Sequence, residues 1–236
     1  MRYDVCVVGS GIAGMTAAGI LAKDGRKVLV IERSARPGGL MRTFRRGGVV
    51  LPTGIHVVGS LGEGEILWRY FRFLGLTDRV RFLPLESGSA LAFAFPGFRF
   101  ELPRGREAFR GRLREYFPGE GPAIERFVDD LAATVSQFAL YSFDPGPERP
   151  APPITKQSLT EYVDSLDCSP RLSAVLTAIN PFHGVPPSEC PVYVHFLVLD
   201  SFLSSAWRID ESRVTLEEAF ESVLSGYGAR TLCNAL

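Results

Sequence analysis

The residues best placed by type and spacing to do chemistry lie at the start of the chain. There Gly9-Ser10-Gly11-Ile12-Ala13-Gly14 has the G-x-G-x-x-G spacing of a phosphate-binding turn. In such a turn Gly9 permits the sharp reversal, Gly11 lets the backbone approach a pyrophosphate, and Gly14 lets a helix lie close on a strand. The helix N-terminus then faces the anion. Glu32 follows at the separation where this fingerprint needs an acceptor for ribose hydroxyls. Together these residues predict a dinucleotide site, against the alternative of a coincidental glycine turn. The motif does not separate FAD from NAD, because both present a ribose and a pyrophosphate to the same fold.

Other chemistry-bearing residues are sparse. Of the three histidines, His56 is the candidate for a hydrogen-bonding or proton-donating role. A satisfied structural histidine is the alternative. His183 and His195 read as structural, each isolated from catalytic partners. Arg42 is expected to attract cofactor phosphates, whereas Arg45, Arg46, Arg104, Arg106, Arg110, Arg112 and Arg114 read as solvated faces. Cys6, Cys168, Cys190 and Cys233 are widely spaced without a C-x-x-C, which suggests neither a zinc site nor a disulfide framework.

The elements that must position these residues follow from pattern. Tyr3–Val8 reads as a buried strand, Ile12–Ala22 as a helix ended by Gly25, and Lys27–Ile31 as a second, β-branched strand. That order is a βαβ unit with two parallel strands. Apolar residues Ile66, Leu67, Tyr70, Phe71 and Leu74 recur at helical spacing within 63–76. Val80–Leu85, Ala90–Phe95 and Phe98–Leu102 read as antiparallel strands, the last two joined at Pro96-Gly97. Residues 106–140 read as two helices, and the proline cluster at 144–155 as a linker or surface crossing. Ser158 with Glu161, Ser169 before Pro170, and Thr215 with Glu218 are helix starts. Val192–Trp207, apolar nearly all round, reads as a buried helix or one touching a greasy ligand or membrane. A helix to Ser225 and a strand over 228–232 close the chain.

Composition narrows the function classes. At 236 residues, with 46% hydrophobic and 22% charged side chains, the chain has an ordinary globular composition and enough length for a sizeable core. Equal basic and acidic counts of 26 leave no electrostatic footprint for nucleic acid. The N-terminus opens directly into a strand without signal-peptide features, and no apolar run reaches membrane-spanning length. This predicts a cytoplasmic location, with peripheral membrane association as the alternative.

Arg33-Ser34-Ala35-Arg36-Pro37-Gly38-Gly39-Leu40-Met41-Arg42-Thr43 resembles the second glycine signature of the amine oxidase and phytoene desaturase superfamily of flavoproteins. Thr53-Gly54-Ile55-His56-Val57-Val58-Gly59 resembles the segment passing the flavin in its retinol saturase and carotenoid desaturase or isomerase branch. Phe117-Pro118-Gly119-Glu120 and Gly184-Val185-Pro186-Pro187-Ser188-Glu189 are similar to that branch as well. The resemblance implies FAD as cofactor, held by Gly9–Gly14, Glu32, Arg33, Gly38, Gly39, Leu40, Arg42, Thr53, Gly54, Ile55 and His56. It implies an α/β fold: a Rossmann-like FAD-binding segment at 1–78, an inserted α+β substrate lobe at 79–212, and the start of the return to the FAD lobe at 213–236. A hydrophobic small-molecule substrate, a polyene or other isoprenoid, is then expected, with Phe93, Phe95, Phe98, Phe182, Phe196 and Phe202 as channel lining or ordinary core. Two departures stand out: Pro52 where the family has an acid, and Asp210-Glu211 where it has a glycine pair. Family members continue into further strands, so a second polypeptide completing the FAD fold is an expected partner. The alternatives are an amine oxidase, a prenyl-lipid-binding protein of the same fold such as the Rab GDP dissociation inhibitors, and an inactive truncated or split subunit.

Overall fold

In chain order the elements are β1 (Val5–Val8), α1 (Ile12–Lys23), β2 (Val28–Ile31), β3 (Thr43–Arg46), β4 (Val49–Pro52), β5 (Val58–Gly59), α2 (Ile66–Leu74), β6 (Arg81–Pro84), β7 (Leu91–Phe95), β8 (Phe98–Leu102), α3 (Arg106–Tyr116), α4 (Gly121–Ser136), α5 (Leu159–Asp164), α6 (Pro170–Leu176), α7 (Val192–Ser204), β9 (Ala206–Asp210), α8 (Leu216–Gly226) and β10 (Arg230–Leu232). Short 3-10 turns lie at Gly39–Met41 and Asn180–His183. The structure, a computed structural model, describes residues 2–85, 91–138, 141 and 156–235. The expected proline crossing at 144–155 lies outside the described residues.

The chain divides into two compact units, one of 1–58, 67–84 and 207–236 and one of 59–66 and 85–206. These limits differ from those read at 78 and 212. The reason is local: β6 pairs antiparallel with β9, Arg81 opposite Asp210 through Pro84 opposite Trp207, which assigns both segments to the first unit.

In the first unit β2 lies between β1 and β10, all parallel. The βαβ order is the expected one. Val28 and Val30 are fully buried, and a Cβ added at Gly14 would lie 3.4 Å from Val7 Cγ1, so α1 covers this side of the sheet. With a period of two, Cys6 and Val8 face the other way. That face is open: Cys6 is exposed, Val8 is 84% exposed and the in-register Leu232 is 45% exposed. Sheets made only of parallel strands are ordinarily covered on both faces. The helical layer α1, α2 and α8 meets around Met15, Ala18, Leu74, Phe220 and Leu224, with Phe71 edge-on to Phe220 at 6.1 Å. The capping box at Thr215 and Glu218 starts α8 as expected. A two-residue turn at Gly47-Gly48, φ 57° and 79°, joins β3 to β4 in a hairpin that the sequence pattern had not revealed.

In the second unit β7 and β8 form the expected hairpin, Phe95 stacked on Phe98 at 4.6 Å. Its core is aromatic: Phe100, Phe109, Phe127, Phe196 and Tyr162 are buried, with Phe127 edge-on to Phe196 at 5.3 Å. Residues 192–207, expected as one helix, instead form a helix followed by a strand. Ser205 is extended at φ -165° and ψ 163°, so α7 stops at Ser204 and Ala206–Asp210 becomes β9. Buried positions on α7 include Phe196, Leu199, Phe202 and Leu203, which accounts for its apolar character. Of the proposed channel residues, Phe196 and Phe202 are thus in the core, and Phe182 is 55% exposed beside Phe202. Among the described residues no helix is long and apolar enough to cross a membrane.

Two further readings need correction. Arg110 is not on a solvated face: it is 15% exposed and bridges Glu107, Glu125 and Asp129. Arg106 likewise pairs at 2.5 Å with buried Asp200. His183 and His195 are not isolated. His195 is fully buried with Nε2 at 2.9 Å from the Leu176 carbonyl and Nδ1 at 3.2 Å from His183 Nε2. Since a carbonyl only accepts, Nε2 of His195 carries the proton and His183 donates to Nδ1. Burial and the neighbouring imidazole hold His195 down at about 3. A histidine whose folded value lies below its unfolded one favours the unfolded chain as acid protonates it. Stability is therefore expected to fall with pH from about 6.5 towards 3, with this residue alone supplying up to about 1.4 kcal/mol per pH unit. Urea unfolding of His195→Gln at pH 7 and pH 5 checks this; the variant should show a smaller loss than the parent.

Candidate dinucleotide-binding site

The site is built where β1 gives way to α1. The Gly9 amide donates to the Ile31 carbonyl at 2.8 Å, closing the turn onto β2, and Gly11 is the N-cap of α1. A Cβ at Gly14 would overlap the Gly9 carbonyl oxygen, whereas one at Gly11 would meet nothing within 4 Å. Gly14 is therefore required for packing within the protein. Gly11 leaves the backbone bare toward open space, as approach of a phosphate requires.

Ser10 ties the two glycine segments together. It is fully buried, its hydroxyl donates to Glu32 Oε2, and its Oγ and carbonyl each accept from the Gly38 amide at 3.1 Å. Gly39 then packs on Gly11, where a Cβ would stand 3.1 Å from the Gly11 Cα. Arg42 Nε donates to the Gly39 carbonyl at 3.0 Å, closing the turn.

Glu32 sits at the end of β2, 8% exposed. Its Oε2 also accepts from the Ser10 amide at 3.0 Å, and its Oε1 from the Ser34 amide at 2.8 Å. The Ser10 hydroxyl, aided by these amides, holds the carboxylate down at about 2. A carboxylate offers about four acceptor sites, and Ser10 and Ser34 both engage it through backbone and side chain.

The third segment joins through the backbone. The Thr53 amide donates to the Arg42 carbonyl at 3.0 Å, and Gly54 packs on Leu40, where a Cβ would be 3.0 Å from the Leu40 Cβ. The β3–β4 hairpin, between these two segments in sequence, delivers Thr53-Gly54 to the glycine pair. Leu40, 71% exposed, and Ile12, 40% exposed, add apolar surface beside the turn. Ile55 and His56 depart from this cluster and line a cavity of about 390 Å³ with Arg45, Arg208, Asp210 and Glu211. Arg33 is exposed. Pro52 and the Asp210-Glu211 pair, the two departures noted in the sequence, line that same cavity.

One residue escaped sequence reasoning. Glu217, in the first turn of α8, is buried beneath the second glycine segment. Its neighbours Thr215 and Glu218 form the capping box, so its own helical position gave no signal of a separate contact.

Comparison with known proteins agrees with this architecture. Residues 7–74 match the model of the NAD(P)-binding Rossmann-like domain. All-trans-retinol 13,14-reductase of Rattus norvegicus is 32% identical over 87% of this chain and 37% of its own length. Prolycopene isomerase 2 of an Oncidium hybrid cultivar is 32% identical over 55% of the chain and 22% of its own length. All-trans-zeta-carotene desaturase of Myxococcus xanthus is 25% identical over 87% and 41%. Among solved structures, putrescine oxidase aligns with a TM-score of 0.62 at 18% identity, covering 99% of this chain and 51% of that one, which shows the shared fold. The chain spans about two fifths of the length of the first curated relatives it matches. It is thus a homologue of the retinol reductase, carotenoid isomerase and carotenoid desaturase proteins, with a Rossmann-like NAD(P)-binding domain at its start.

Proposed function

We propose that the chain is the cofactor-binding portion, with part of the substrate lobe, of an FAD-dependent oxidoreductase acting on a hydrophobic polyene or isoprenoid such as a retinoid or carotenoid. The observation that carries this reading is the joining of two glycine segments to one acid: Ser10 bonds both Gly38 and Glu32, and Gly39 lies on Gly11. The bare backbone at Gly11 fits a pyrophosphate, and the acid at the end of β2, Glu32, fits the place of a ribose acceptor. Gly9, Gly11 and the N-terminus of α1 would hold the phosphates, Arg42 would offset their charge, and Thr53–His56 would lie toward the ring end. When bound, FAD supplies hydride transfer to or from the substrate. The chain's own residues bind and orient: exposed Leu40 and Ile12 supply apolar contact, and His56 would hydrogen-bond or deliver a proton at the ring. The names of the relatives, which refer to all-trans-retinol, prolycopene and zeta-carotene, support a polyene over an amine.

The open face of the parallel sheet supports a further part of the proposal. Cys6, Val8 and Leu232 would be covered by another stretch of polypeptide, in the same or a separate chain, completing the FAD lobe. The substrate assignment is tested by presenting FAD-loaded protein, with the flavin oxidised or chemically reduced, to all-trans-retinol, a carotenoid and putrescine under nitrogen. A change in flavin absorbance with a polyene is expected. A change with putrescine alone would contradict the assignment.

A further inference from the structure

Glu217 is 3% exposed and lies in the first turn of α8. Its Oε1 accepts from the Thr43 amide at 3.2 Å, the Thr43 hydroxyl at 3.3 Å and Arg36 Nη2 at 3.3 Å. Arg36 and Thr43 bracket Pro37-Gly38-Gly39-Leu40-Met41-Arg42, the whole of the second glycine turn. Gly38 presses on the same side chain, so that a Cβ there would stand 2.8 Å from the Glu217 Cβ. The other oxygen, Oε2, is buried and accepts no hydrogen bond. Burying a carboxylate oxygen without a donor is costly, and an apolar residue of similar shape would avoid that cost. Packing alone is thus a poor reason for an acid at this position. The favourable field at a helix N-terminus offsets only part of the cost.

What the acid does is complete a connection. From α8 it runs through Glu217 to Thr43 and Arg36, along the glycine turn to the Gly38 amide, across Ser10 and into Glu32. We propose that Glu217 is a positioning residue for the cofactor: it fixes residues 36–43 so that Gly38 meets Ser10 and Gly39 lies on Gly11. The proposal rests on the FAD reading and deepens it, assigning to α8 the task of ordering a binding turn distant in sequence.

The test compares Glu217→Ala, Glu217→Gln and Thr43→Val in the full chain by FAD titration and by trypsin cleavage after Arg42 without FAD. Glu217→Ala should weaken FAD binding about tenfold or more, the loss expected when a hydrogen bond to a charged group is removed. Cleavage after Arg42 should accelerate several-fold. Glu217→Gln keeps an acceptor oxygen for Thr43 and should recover most of the affinity, a rescue that a mere volume effect in Glu217→Ala does not isolate from charge. Thr43→Val, which removes only the hydroxyl donor, should weaken binding less than Glu217→Ala while leaving the thermal midpoint near the parent's. Wild-type affinity and an unchanged cleavage rate in Glu217→Ala would overturn the proposal; should that variant fail to fold, unchanged affinity and cleavage in Thr43→Val would do so. If the parent itself takes up no FAD, the FAD reading fails separately, and unchanged cleavage in the variants then overturns the ordering role of Glu217.

Discussion

Gly14→Ala should destabilise the first unit by about 2–4 kcal/mol and abolish tight cofactor binding, whereas Gly11→Ala should leave stability nearly unchanged and still weaken the cofactor strongly. The first methyl would overlap the Gly9 carbonyl oxygen and stand 3.4 Å from Val7 Cγ1. Backbone at the end of β1 has little room to yield, so α1 must move off the sheet. In a helix, alanine ordinarily gains about 1 kcal/mol over glycine, so a net loss would measure the clash against a favourable propensity. Gly11 provides the internal comparison. Its backbone is at φ -67° and ψ 176°, which alanine adopts freely, and an added Cβ meets nothing within 4 Å. Any loss of affinity there belongs to the ligand. Urea midpoints and FAD titrations of both variants separate the two roles; equal stability of Gly14→Ala and the parent would contradict the packing argument.

Glu32→Gln is expected to cost about 1–3 kcal/mol of stability at pH 7 and to weaken FAD at least tenfold. Both carboxylate oxygens receive protein donors, Oε2 from Ser10 and Oε1 from the Ser34 amide. Glutamine keeps one acceptor and sets an NH₂ group against a donor on the other side. The sign of the pH dependence follows from the held-down carboxyl, at about 2 against an ordinary 4.5. Its contribution is fully present above about pH 4.5 and is lost as pH falls toward 2. The gap between parent and variant should therefore be largest at neutral pH and narrow in acid, whereas loss of side-chain packing alone would give a gap independent of pH. Denaturant midpoints at pH 7 and pH 3 check it.

The parts legible in sequence are those governed by neighbours along the chain. Gly9–Gly14 and Glu32 were readable because a tight turn, a helix start and an acid at fixed separation follow from local geometry. The capping boxes of α5 and α8 were readable because Ser158 with Glu161 and Thr215 with Glu218 satisfy each other within one turn. What escaped depends on partners far away. Ala206–Asp210 became a strand because β6 lies beside it, and no local pattern separated it from the apolar helix before it. Arg110 and the His183–His195 pair acquired meaning only when α4 and α7 brought their partners close. Glu217 shows the same limit within the site itself, since its partner Thr43 is 174 positions earlier. Linear spacing carried the cofactor signature, and tertiary contact supplied the means of holding it in shape.

We propose that these joined glycine segments form an FAD cradle. Adding FAD to the purified chain, removing the excess by gel filtration and recording the visible spectrum decides this. A yellow protein is expected, its flavin absorbance eluting with the polypeptide in near-equimolar amount and lost in Gly11→Ala. A folded chain that elutes colourless would contradict it.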